Sequence, residues 1–223
     1  MAEQLERDTS PSALNRDRIL REAVRIANAE GLDAVTMRRL GRELGAGAMS
    51  LYHYVSNKDD LLDGMVDLVF AEIEAPTGDD DWRAAMHRRS SSARQVLLRH
   101  SWALSLMESR TNPGAANLEH REAVTACLRK AGFSIEMTAH ANWLLDSYVH
   151  GFVLQEASLP FDTAEELAAM ADDVFMPRLP PEQYPYLSEL AGALLGAGYD
   201  HTKEFAFGLD VILDALDRLR DRS

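Results

Sequence analysis

The chain has 223 residues, 46% of them hydrophobic, with 23 Lys and Arg against 36 Asp and Glu for a formal net charge of −13. That length holds one large domain or two small ones, and so acidic a total argues against a general nucleic-acid coat protein. A single cysteine, Cys127, excludes an intrachain disulfide framework.

No segment reaches the ~18 apolar residues that span a bilayer, and the polar start does not read as a signal peptide. A soluble cytoplasmic protein with no membrane partner is expected. Residues 1–13 are polar and carry Ser10-Pro11-Ser12, a mobile arm by composition. From Asn15 to Ala29 the apolar residues Ile19, Leu20, Ala23, Val24 and Ala27 recur at helical spacing, and Gly31 ends that helix. Arg16, Arg18, Arg21 and Arg25 lie on its polar side.

Residues 36–58 organise the rest. The Thr36 hydroxyl can cap a short helix. Met37, Leu40 and Leu44 form its apolar stripe, and Gly45 sits where a left-handed residue is least strained. Ala46 and Gly47 make a turn, and a second short helix directs Leu51 and Val55 inward. Ala48, Met49, Ser50, Tyr52 and Tyr54 are left to face outward. Two short helices across a tight glycine turn make a helix-turn-helix, whose second helix suits a major groove. This stretch holds Arg38, Arg39, Arg42 and Lys58 against Glu43 alone, so it is the locally basic part of an acidic chain.

Asn57 caps the next helix, with Asp60 completing an approximate capping box. Leu61, Leu62, Met65, Leu68 and Val69 give it an apolar stripe up to Ile73. The breaker run 75–81 ends it. Helices then follow one another: 82–98, 100–109, a turn at Asn112-Pro113-Gly114, 115–131 up to Gly132, and 134–157. Thr163 caps 164–174, the prolines 177, 180, 181 and 185 make an irregular loop, and 186–195 and 200–220 close the chain. No run alternates as a strand would. The fold class is all-α.

The motif Thr36-x-Arg38-x-Leu40-x3-Leu44-Gly45, then Leu51-Tyr52-x2-Val55-x-Asn57-Lys58-x2-Leu61-Leu62-Asp63, resembles the DNA-binding motif of the tetracycline-repressor (TetR) family of bacterial transcription regulators. Gly132-Phe133-Ser134 and the segment Tyr148 to Glu156 resemble the C-terminal domain of the tetracycline-repressor subfamily. The resemblance implies a three-helix DNA-binding domain over 14–65 and a helical effector-binding and dimerisation domain over 66–223. It implies a ligand-responsive homodimer, most simply a repressor, on a palindromic double-stranded DNA operator. Carried over by motif position, Arg38, Ala48 and Met49 meet base edges. Thr36, Ser50, Tyr52, Tyr54 and Lys58 complete the DNA contact set, the last four on phosphates. Helices 134–157 and 200–220 are the ones the family pairs into a four-helix bundle. The stripe Leu209, Ile212, Leu216 and Leu219 then faces either a partner or the chain's own core.

Trp102, Trp143, Tyr148 and Phe152 have two readings, core packing or the walls of an effector pocket; the resemblance favours the pocket for at least one of them. The expected effector is apolar or aromatic, with cationic charge an option. Drug-sensing members of the family hold magnesium–tetracycline with two histidines, and those positions fall near Glu74 and Glu108 here, so a tetracycline sensor is not expected. No GxxxxGK or GxGxxG loop is present, the seven histidines lack ligand spacing, and no nucleophile elbow occurs, so no cofactor, metal or catalytic residue is assigned. The competing class is a helical small-molecule-binding protein or enzyme with a vestigial DNA reader.

Overall fold

The computed structural model describes residues 14–78, 81–109, 114–161, 163–171 and 179–220. The helices are α1 (Arg16–Glu30), α2 (Met37–Leu44), α3 (Ala48–Leu51), α4 (Lys58–Glu72), α5 (Trp82–Arg99), α6 (Ala103–Ser109), α7 (Ala115–Lys130), α8 (Ile135–Ser158), α9 (Ala164–Met170), α10 (Pro185–Ala197) and α11 (His201–Arg220), with a 3₁₀ turn at Leu32–Ala34. Among the described residues there is no strand. The polar arm 1–13, the turn residues Asn112 and Pro113, residues 172–174 and Pro177 lie outside the described residues.

The chain divides into two compact units, Met1–Ile73 with Arg99–Glu122, and Glu74–Leu98 with Ala123–Ser223. In the first, α1 packs on α4 and α2 on α3. The starts of α1, α2 and α4 are capped by side chains: Asn15 accepts from the Arg18 N–H, Thr36 from Arg39 and Asn57 from Asp60. These caps satisfy donors that a helix start leaves free. Gly45 takes the left-handed conformation, with φ 65°, that closes α2. The buried set includes Ile19, Ala23, Ile26, Leu40, Leu51, Val55, Leu61 and Met65.

A polar knot ties the same unit at its other end. Trp102 is buried in the turn before α6, and its indole N–H donates to Asn28 Oδ1 at 2.7 Å. His100 Nδ1 lies 2.9 Å from the same oxygen, and its Nε2 lies 3.2 Å from Glu72. Asp67 accepts from the backbone N–H groups of Ala116 and Asn117 at the start of α7.

In the second unit α8 packs on α11. Thr138, Ala141, Leu145, Val149 and Val153 form the inner stripe of α8, and Phe205, Leu209, Leu213 and Leu216 that of α11. Leu209 and Leu216 are therefore core of the chain itself, the second of the two readings of that stripe, and not the dimer face. The period explains it: Leu213 falls in step with Leu209 and Leu216, while Leu219 drifts outward. The apolar residues that α8 and α11 leave exposed are instead Trp143, Leu144, Leu154, Phe207, Val211 and Leu219, with Ile135 at the start of α8.

Two arginines of α5 enter this core. Arg94 binds Glu156 through two bonds of 2.5 and 2.7 Å, with side chains only 9% and 11% exposed. Its guanidinium also lies over the Phe152 and Phe205 rings, 5.7 and 5.3 Å from their centroids. Arg89 reaches Asp146 at 2.6 Å. A charge can be buried this way because each guanidinium meets a carboxylate in hydrogen-bonding geometry.

Candidate nucleic-acid interface

The turn between α2 and α3 rests on backbone contact. The Ala46 N–H donates to the Gly41 carbonyl at 2.8 Å. A Cβ on Gly41 would stand 2.7 Å from the Ala46 oxygen and 3.1 Å from the Ala48 nitrogen. Only a residue without a side chain lets α3 approach this closely. Gly41 is the structural residue that motif reading passed over; its place one residue after the buried Leu40 was the available signal.

α3 is a single helical turn followed by turn residues 52–54. Leu51 and Val55 are fully buried and peg it to the unit. Met49 is 78% exposed, Tyr52 and Tyr54 are exposed, Ser50 is exposed, and Ala48 is half-buried. The side chains expected to face outward do so. A partly exposed clamp adjoins this segment. Arg16 donates to the Tyr54 carbonyl at 3.0 Å and pairs with Asp60 at 2.6 Å, while Asp60 also accepts from the Ser56 N–H at 2.7 Å. The carboxylate thus reaches back to Ser56 and not to the Asn57 N–H of a regular capping box. The Arg16 hydrogen bond, with the Ser56 amide, lowers the Asp60 pKa below the usual carboxylate range in spite of partial burial.

Electrostatics sort the cations of residues 36–58. Arg39 is held by Glu30 at 2.7 Å and by Glu43 at 2.7 Å, and Arg42 lies 3.4 Å from Glu43. Arg39 and Arg42 together lower the Glu43 pKa. Arg38 and Lys58, both exposed, have no carboxylate partner among the described residues. Arg38 borders a shallow depression with Thr36, whose oxygen accepts the Arg39 N–H, leaving its own proton free to donate outward. Counting charges in the sequence treats these four cations alike; the carboxylates around them separate two fixed from two available.

The four aromatic residues considered for an effector are not gathered in one place. Trp102 is in the first unit, with its one polar atom taken by Asn28. Trp143 is 80% exposed on α8, over a shallow apolar surface with Ala139, His140, Leu144 and Ser147. Tyr148 and Phe152 do meet, with centroids 5.9 Å apart, and both touch Phe205. The Tyr148 hydroxyl donates to the Phe205 carbonyl at 2.8 Å, and burial raises its pKa. Glu74 is engaged by Arg88 at 3.2 Å, and the Glu108 side chain lies outside the described residues. Among the described residues no group of acidic, His or Cys side chains could hold a metal ion, and no helix is long and apolar enough to cross a membrane.

Comparison with known proteins adds an independent line. The family model "Bacterial regulatory proteins, tetR family" matches residues 19–65, and "Tetracyclin repressor-like, C-terminal domain" matches residues 75–219. The chain is 35% identical over 216 residues to the HTH-type transcriptional repressor DrrR1 of Streptomyces coeruleorubidus, covering 92% of this chain and 78% of that one. It is 31% identical to the class A tetracycline repressor protein from transposon 1721 of Escherichia coli, covering 91% and 90%. Among solved structures, the Streptomyces coelicolor TetR family protein ActR in complex with actinorhodin superposes with a TM-score of 0.75 at 31% identity, covering 92% and 96%.

Proposed function

The chain belongs to the tetracycline-repressor (TetR) family of transcriptional regulators, and from that membership we propose that it represses transcription by binding a palindromic operator as a homodimer, until a small molecule releases it. The observation that carries the DNA reading is the exposure of Met49, Ser50, Tyr52 and Tyr54 in the same motif as two exposed cations, Arg38 and Lys58, that have no carboxylate partner among the described residues. In this reading residues 14–65 form the DNA reader. Met49 and Ala48 offer apolar contact of the kind that suits a thymine methyl, and Arg38 has the fork geometry for guanine. Thr36, Ser50, Tyr52, Tyr54 and Lys58 are hydroxyl or ammonium donors suited to phosphates. Residues 66–223 serve effector binding and dimerisation in the cytoplasm, with no enzymatic role.

The dimer face in this reading is the exposed side of α8 and α11, centred on Trp143, Phe207 and Val211. Apolar area of that kind is uncommon on a solitary chain. A homodimer places its two reading helices in successive major grooves, about one helical turn apart. The effector is apolar or aromatic, in line with ActR being solved with actinorhodin. Tyr148 and Phe152 remain the candidates nearest the core, and Trp143 suits the dimer face better. Ligand release of DNA then requires only that the bound and free forms differ in DNA affinity.

An electrophoretic mobility assay on the DNA upstream of the protein's own gene tests this. A retarded band that Arg38→Ala weakens is expected. No band at any salt concentration would leave the helical ligand-binding protein with a vestigial reader as the better account.

A further inference from the structure

The second unit contains a pocket that none of the aromatic residues singled out in the sequence enters. It lies where the end of α8 meets α9 and α10, with a volume of about 350 Å³, and is walled by Leu159, Phe161, Leu167, Leu179, Leu194 and Tyr199. That volume falls in the range of small-molecule sites, roughly 300–1,000 Å³. Among the described residues of the lining, the only polar side-chain atom is the Tyr199 hydroxyl.

A second observation stands one ring behind that wall. His201 opens α11 and is 8% exposed, and neither of its ring nitrogens has a hydrogen-bond partner among the described residues. Its ring meets Tyr199 edge-on at 4.7 Å and stacks on Phe161 at 6.0 Å, both of them pocket walls. A buried imidazole with both nitrogens unsatisfied is costly, and such groups ordinarily have a partner. Arg94, which acts on Tyr199, is already committed to Glu156 and to Thr202, and Asp200 accepts from the backbone N–H groups of Thr202 and Lys203. A small displacement of the Tyr199 edge would open His201 to the pocket.

We propose that this pocket binds a neutral, largely apolar small molecule carrying one hydroxyl or carbonyl group, with its apolar body against the leucines and its polar group at the Tyr199–His201 end. Among the described residues the lining has no charged side chain to partner an ion, and a bare charge against those walls would lose its hydration without compensation. The size suits on the order of fifteen to twenty heavy atoms. The site rests on the regulatory reading above only in naming its occupant an effector.

The test uses the full chain without DNA, titrated with N-phenyl-1-naphthylamine, a neutral fluorophore that brightens in apolar surroundings. Saturable binding at one probe per chain is expected. Ala191→Phe fills the pocket and should weaken the probe by roughly tenfold or more, with helical circular dichroism retained. Leu195→Asn, which adds an unpaired amide to the lining, should weaken it as well. His201→Phe should raise the melting temperature of the empty chain and remove the advantage of 1-naphthol over naphthalene as a competitor. Unchanged binding in both lining variants overturns the site, as does loss of the signal in Trp143→Ser, which would put the probe on the exposed face of α8. Probe binding without release of operator DNA overturns the effector role. A wild-type chain that binds the probe but never binds DNA supports the site while removing the repressor reading.

Discussion

Between Asn15 and Glu72 the ties run mostly over three or four residues: Asn15 to Arg18, Thr36 to Arg39, Asn57 to Asp60, Asp17 to Arg21 and Arg39 to Glu43. Between Trp82 and Arg220 the main polar ties run from Arg89 to Asp146 and from Arg94 to Glu156, separations of 57 and 62 residues, with both arginines buried. Short exposed ties are each worth little, are screened by salt, and can be lost singly. Buried long-range pairs behave otherwise. Each adds little over a well-packed apolar pair, yet losing one partner strands a charge in the core. The reader should therefore tolerate surface change, and the helical body should fail sharply at a few points.

The largest effect expected is on the body. Arg94→Met leaves Glu156 buried without its partner and should remove about 3–5 kcal/mol of unfolding free energy in a urea titration. Adding Glu156→Leu should restore most of it. A single variant as stable as the wild type would erase the contrast between the two regions.

Next comes the one rigid point in the reader. Gly41→Ala presses a methyl onto the Ala46 carbonyl and should cost about 1–3 kcal/mol, with loss of operator binding. Gly192→Ala is its control: nothing lies within 4 Å of the added methyl, so in α10 it should be neutral or stabilise by up to ~1 kcal/mol. Equal effects of the two, measured by thermal melting, would mean that α2 and α3 do not need their close backbone approach.

A smaller effect is expected at the clamp. The Asp60 side chain is 29% exposed, so Asp60→Asn should cost no more than about 1 kcal/mol. Because the folded pKa of Asp60 is depressed, its contribution is complete above the ordinary carboxylate range and fades as pH falls through the folded value. The wild type and Asp60→Asn should therefore converge in stability below about pH 4. A gap that widened on acidification would contradict the Arg16 pairing.

The smallest effect on folding is at Lys58. Lys58→Ala should leave the melting temperature unchanged and lower the salt dependence of operator binding by roughly one charge, evenly across operator variants. An unchanged salt slope would place Lys58 away from the phosphates.

The same contrast explains what could be read from the sequence. The starts of α1, α2 and α4 were legible, because Asn15, Thr36 and Asn57 act on neighbours three residues away, and the Gly45 stop is equally local. The outward set at 48–54 followed from removing Leu51 and Val55. Which cations stay free was not legible: Glu30 captures Arg39 from nine residues away, and no local rule anticipates that. In the body, the helices were legible but their buried sides less so. The stripe on α11 was identified, yet whether it met a partner or its own chain depended on α8. For Trp102 both core packing and a pocket wall were open, and nothing local showed that Asn28, 74 positions distant, would take its indole N–H. That His201 has no hydrogen-bond partner among the described residues was not legible: Tyr199 is a local neighbour two residues away, but Phe161 meets its ring from 40 residues back.

The two pegs of α3 have a consequence for how such a regulator changes over generations. Leu51 and Val55 are the fully buried residues of that turn, so the exposed side chains of Met49, Ser50, Tyr52 and Tyr54 carry less of the folding energy. On the proposed DNA reading, substitutions there should change which promoter is addressed with little loss of stability. A duplicated copy of this gene could acquire a new target through those few codons while its sensing body stayed as it was, and laboratory selection for a new operator should find its winners at the same positions.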